Sequence, residues 1–121
     1  MTKRVRLMIL SGLEDGALYE YSSANDGEYQ AEHWKLSIGR RDDSDICLRN
    51  DTFISRLHAK LHWKDEAWWL EDCNSTNGTF KERADDYFND ERVKGIMPLD
   101  PGQLFRIGRT WIRLQDGAGD E

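Results

Sequence analysis

Apolar residues recur at every second position through most of this chain. Val5, Leu7 and Ile9 alternate with Arg4, Arg6 and Met8; Trp34, Leu36 and Ile38 repeat the pattern, and Trp111-Ile112-Arg113-Leu114 ends the last run. Alternation of period two sends one set of side chains to one face of a strand. The runs stop at Gly, Asp, Asn or Pro, and none carries a helical stripe. The pattern predicts strands over 4–10, 17–21, 34–39, 45–48, 58–63, 67–72, 79–80, 92–93, 103–107 and 110–115, and hence an antiparallel sandwich or barrel. Lys64-Asp65-Glu66 reads as the turn of a hairpin, with Trp68 and Leu70 facing the core and Trp69 partly exposed. Residues 22–33 and 81–91 lack alternation and read as loop insertions. The chain is expected to be one domain over 1–121, with its core at about 4–115 and a flexible acidic tail at 116–121.

Composition narrows the class of partner. The 121 residues include five Trp, four Tyr and four Phe, too much apolar area for a disordered chain. Seventeen basic against 23 acidic residues leave a net charge of −6, which disfavours nucleic acid and anionic membrane as partners. An anion site must therefore be a local positive cluster, separated from the acidic remainder by a screening length of about 8 Å. Cys47 and Cys73 make no disulfide framework, and the apolar run 7–10 is too short for a signal core or a membrane span, so a reducing cytoplasm is expected. His33, His58 and His62 lack metal-ligand spacing with those cysteines, so no metal or cofactor is expected.

Three segments carry residue types that packing alone does not require. Gly39-Arg40-Arg41 ends a strand in a glycine followed by two guanidinium groups, whose donor forks suit phosphate; they could equally pair with Asp42 and Asp43. Ser55-Arg56-Leu57-His58 sets a hydroxyl beside a cation. Ser55 and His58, with Asp72, also suggest a hydrolase, but no nucleophile elbow or oxyanion hole accompanies them. His58 is read instead as a structural histidine, hydrogen-bonded through both ring nitrogens. Asn74-Ser75-Thr76-Asn77-Gly78-Thr79 combines a tight-turn signal with more hydroxyl and amide groups than a turn needs.

The order and spacing of these three segments closely resemble the signature of the forkhead-associated (FHA) domain family, and Asn89-x-x-Arg92-Val93…Pro98-Leu99…Gly102 is similar to that family's C-terminal pattern. The resemblance implies an all-β, two-sheet antiparallel sandwich of about eleven strands, with loops at one end that bind phosphothreonine peptides. It assigns Arg40, Ser55, Arg56 and Thr76 to the phosphate, and Asn77 to the peptide backbone. Gly39, His58, Asn74 and Gly78 would be architectural, Asn74 standing where the family usually has glycine. The implied partner is a phosphothreonine-containing protein in a Ser/Thr kinase pathway, bound reversibly at micromolar strength without catalysis. The alternative is a phosphate-independent interaction or self-association module using Trp69, Tyr87 or Phe88. Phe53, in the expected selectivity loop, hints at an apolar flank on the ligand, and the acidic side chains near 81–88 would disfavour acidic flanks.

Overall fold

A computed structural model describes residues 2–83 and 89–120, with Leu13 and the last five by backbone alone. Twelve strands form among them: β1 (Lys3–Ile9), β2 (Leu18–Ser22), β3 (Glu28–Gln30), β4 (His33–Gly39), β5 (Ile46–Cys47), β6 (Ala59–Lys64), β7 (Ala67–Asp72), β8 (Thr79–Glu82), β9 (Asp90–Arg92), β10 (Ile96–Leu99), β11 (Leu104–Ile107) and β12 (Thr110–Asp120). A 3-10 turn at Gly12–Glu14 is the sole helical element described. One sheet runs β2-β1-β12-β11-β8-β9; the other runs β10-β7-β6-β4-β3, with β5 pairing in parallel on β4.

The two inner faces are the alternating positions read from the sequence. Val5, Leu7, Ile9, Phe105, Ile107, Ile112 and Leu114 come from one sheet, and Trp34, Leu36, Ile38, Leu61, Trp68 and Leu70 from the other. Trp68 anchors this second layer, its ring 5.9 Å from that of Trp34 and 5.1 Å from that of Trp63. Burying each such side chain contributes about 1.5–3 kcal/mol relative to exposure. Trp69 points outward and is half-buried, its ring covered by the Lys64 ammonium at 5.5 Å.

The structure adds strands where the pattern predicts none. Residues 22–33 contain β3, whose partner across a tight turn is β4. That turn places Ala31 and Glu32 at φ of 53° and 62°, where glycine or asparagine is more usual. Strand β10 contains Pro98 and lies at a sheet edge, where a missing N–H costs no ladder bond. The third difference lies at β8, which continues through Lys81 to Glu82. Lys81 is buried, and its ammonium donates to the Pro98 carbonyl at 2.8 Å. Finally, β12 continues to Asp120, five residues beyond the expected end, with Asp120 paired to Lys3. Tyr87 and Phe88 lie outside the described residues.

Candidate functional site

Strands β4, β6 and β7 present three connections at one end of their sheet: the segment after Gly39, the segment before Ala59, and the segment after Asp72. Backbone contacts bind the first two together. Arg40 N–H donates to the Ser55 carbonyl at 3.2 Å, and Arg41 N–H to that of Arg56 at 3.4 Å. A Cβ on Gly39 would sit 1.9 Å from the Arg56 carbonyl oxygen, so only glycine allows the two chains this approach. The second and third segments meet where Thr76 N–H donates to Ser55 Oγ at 3.1 Å and Asn77 Nδ2 donates to the Phe53 carbonyl at 2.9 Å.

His58 ties all of this to the sheet. Its ring is fully buried; Nδ1 accepts from Ser55 N–H at 3.0 Å and Nε2 donates to the Gly78 carbonyl at 2.9 Å. Both ring nitrogens are therefore engaged, as the sequence reading expected, and the tautomer is fixed with its proton on Nε2. Ser55 meets the imidazole through its backbone N–H and not its hydroxyl, so the two do not form a nucleophile–base pair. Asp72 is occupied elsewhere: its carboxylate accepts from Ser75 Oγ at 2.6 Å, Ser75 N–H at 3.2 Å and Thr79 Oγ1 at 2.8 Å. Ser75 Oγ in turn accepts from Gly78 N–H at 3.0 Å. Asp72 is thus the organiser of the 73–78 loop, and Asn74 takes the left-handed conformation, φ 61°, that the loop demands.

After this internal bonding, a small set of groups remains open at the rim. Arg40 donates through Nε to the Ile54 carbonyl at 2.9 Å, and no carboxylate pairs with it among the described residues. Its neighbours differ, since Arg41 chelates Asp43 at 3.0 and 3.3 Å and Arg49 pairs with Asp42 at 3.3 Å. The pairing that the sequence left open for both arginines thus falls on Arg41 alone. Ser55 Oγ accepts from Thr76 N–H and keeps its own proton to donate. Arg56, Thr76 and Asn77 are exposed. Ser75, by contrast, is consumed within the loop. Burial pushes the nearby Cys73 thiol up, which keeps it protonated at neutral pH.

A second clamp had no signal in the sequence. Asp51 Oδ1 accepts from Phe53 N–H at 2.9 Å, while Oδ2 accepts from Arg109 N–H at 2.7 Å and Thr110 Oγ1 at 2.8 Å. It joins the 50–55 loop to the β11–β12 turn across 58 residues of sequence, a distance that local pattern does not reach. Gly108, at φ 59°, lets the turn close here, because a Cβ would fall 2.9 Å from Asp51 Oδ2.

The class defined so far is a small β-sandwich with a rigid, donor-rich loop cluster at one end. The FHA domain profile matches residues 36–108, and the chain belongs to the FHA domain family. FHA domains are interaction modules. The FHA domain-containing protein FhaB of Mycobacterium tuberculosis is 38% identical over 78 residues, covering 64% of this chain and 45% of FhaB. The chain thus aligns with less than half the length of that relative. The crystal structure of the FHA domain of CT664 from Chlamydia trachomatis superposes with a TM-score of 0.69 at 27% identity, over 93% of this chain and 97% of that one. A domain solved in a structural and functional analysis of phosphothreonine-dependent FHA interactions superposes at 0.67 with 28% identity, covering 93% and 96% of the two chains.

Proposed function

We propose that this chain is a phosphothreonine-peptide reader without catalytic activity of its own, working in a Ser/Thr kinase pathway of the cytoplasm. The observation that carries the reading is the state of Arg40: it is held by Ile54 yet paired with no carboxylate among the described residues, whereas Arg41 and Arg49 are both paired. A guanidinium so placed beside a free hydroxyl proton suits an incoming dianion.

In this reading Arg40, Ser55, Arg56 and Thr76 donate to the phosphate, and Asn77, anchored by Nδ2, offers Oδ1 to the peptide backbone. Hydrogen bonds to a charged group contribute about 1.5–3 kcal/mol each. Four therefore yield about 6–12 kcal/mol, against an association cost of about 4–15 kcal/mol. Peptide contacts beyond the phosphate must supply the remainder, and the affinity expected in this reading is micromolar, about −8 kcal/mol. An oriented phosphothreonine peptide library is the test. Capture by the wild type that is lost both on dephosphorylation and in Arg40→Ala supports the reading. Capture indifferent to both favours a phosphate-independent interaction module.

A further inference from the structure

The sheet β2-β1-β12-β11-β8-β9 turns alternate residues outward, and their chemistry contrasts with the acidic balance of the chain. Arg92, Phe80, Arg106 and Trp111 stand opposite one another across β9, β8, β11 and β12. The Arg106 guanidinium lies 4.2 Å from the centroid of the Phe80 ring and 5.5 Å from that of Trp111, and the Arg92 guanidinium lies 5.8 Å from Phe80. Two residues further along β12, Arg113 stands between Leu104 and Met8, and Met8 stands beside Leu18, which is 51% exposed. Cations and apolar side chains are thus interleaved across the width of the sheet.

Arg113 is the member of this face whose needs the chain does not meet. It is half-buried among apolar neighbours, its Nε is buried without a hydrogen-bond partner, and it pairs with no carboxylate among the described residues. A guanidinium drawn partly out of water without a counter-charge costs free energy, which an incoming carboxylate would offset by engaging its donor fork. The carboxylates of the same face do not serve it. Asp90 and Glu20 sit on the two edge strands, each 3.2 Å from its own arginine, Arg106 and Arg4, and Glu82 lies at the end of β8.

We propose that this outer face docks an unphosphorylated acidic segment of a partner protein, which lays a carboxylate on Arg113 and apolar side chains over Leu104, Met8 and Leu18. Charge complementarity selects the occupant. Nucleic acid fits less well, because a net charge of −6 repels a long polyanion and Arg106, stacked between Phe80 and Trp111, covers ring faces that bases would need. The surface is separate from the phosphothreonine site. Arg113 lies about 10 Å along β12 from the β11–β12 turn, whereas Arg40 and Ser55 flank strands of the other sheet. Binding here therefore does not depend on the function proposed above.

The test is fluorescence anisotropy with three probes: short unphosphorylated peptides of Glu, Leu and Ser, the same peptides with Lys in place of Glu, and a short oligothymidylate. Wild type is expected to bind the Glu peptides alone, saturably, and more weakly when added salt shortens the screening length from about 10 Å to about 3 Å. Affinity should fall about fivefold in Arg113→Ala, the range of a partly exposed ion pair, and about tenfold or more in Arg113→Glu, where like charges meet. Arg40→Ala should leave it unchanged. Circular dichroism melting confirms that each variant is folded. No binding of the Glu peptides, binding that survives Arg113→Glu, or tighter binding of the oligothymidylate would overturn the docking face and leave the phosphothreonine reading standing. Sedimentation of the protein alone closes the remaining route: self-association abolished by Arg113→Glu would give the face to a second copy of this chain and overturn the proposal as well.

Discussion

His58→Ala is the sharpest probe of how the site is held. The wild-type ring is fully buried and spans two loops, accepting from Ser55 N–H and donating to the Gly78 carbonyl. Truncation leaves that N–H and that carbonyl without partners where water reaches them poorly. Each orphaned group costs about 1–3 kcal/mol. Lost packing of the imidazole adds to this, so the sum is about 3–5 kcal/mol, a large share of the roughly 5–15 kcal/mol that stabilises a domain. With a urea m-value of about 1–3 kcal/mol/M, the unfolding midpoint should fall by about 2 M. Phosphopeptide affinity, measured by anisotropy where the variant is still folded, should fall as well, because the Ser55 and Gly78 segments lose their common brace. A midpoint within about 0.5 M of wild type, with affinity retained, would show that His58 does not organise the site.

Other perturbations test separate links. Gly39→Ala drives a methyl group into the Arg56 carbonyl; the strain should cost about 1–3 kcal/mol in urea unfolding and part the two strand ends, weakening phosphopeptide binding about tenfold. Asp72→Asn keeps an acceptor but removes the charge from three hydrogen bonds, and should lower stability by about 1–2 kcal/mol in the same assay. The His33–His62 pair predicts an acid-side loss of stability. His33 Nε2 donates to His62 Nδ1 at 2.8 Å, and His62 Nε2 donates to Glu71 at 2.8 Å, a chain that requires a neutral His62. Burial lowers both imidazoles, with Lys35 and Lys64 adding to the effect at each and the His62 ring adding to it at His33; Asp65 opposes it at His33 and Glu71 at His62. The folded state thus favours the neutral rings. Their contribution is complete above about pH 6.5 and declines as pH falls from there towards the lowered folded values. Urea unfolding from pH 7.5 to 5 should show this decline, and His62→Asn should flatten it.

Much of the sandwich was legible because its core strands bury one face and so alternate. What escaped lacks that cause. The Glu28-Tyr29-Gln30 strand is exposed at all three positions and exists through its ladder with β4, leaving no hydrophobic trace. Strand β10 was hidden by Pro98, which argues against a central strand and is harmless at an edge. The binding loops were visible as unusual residue types, but their bracing was not. Asp72 reads from sequence as a strand end or a triad member, and its work at the 73–78 loop becomes evident only when the three hydrogen bonds to its carboxylate are traced. Asp51 and Arg109 meet across 58 residues of sequence. The sequence offers no partner for His62; the structure gives it two, His33 and Glu71, on the neighbouring strands.

The central claim is that loop donors of one sandwich end receive a phosphothreonine. Amide chemical-shift mapping on the labelled protein tests it most directly, comparing a phosphothreonine peptide with its unphosphorylated twin. The account predicts saturable shifts at residues 40–41, 55–58 and 76–78 with the phosphorylated peptide alone, and quiet amides at the far-end turns 31–32 and 65–66. Equal shifts from both peptides, or shifts centred on the outward face around Trp69, would contradict it.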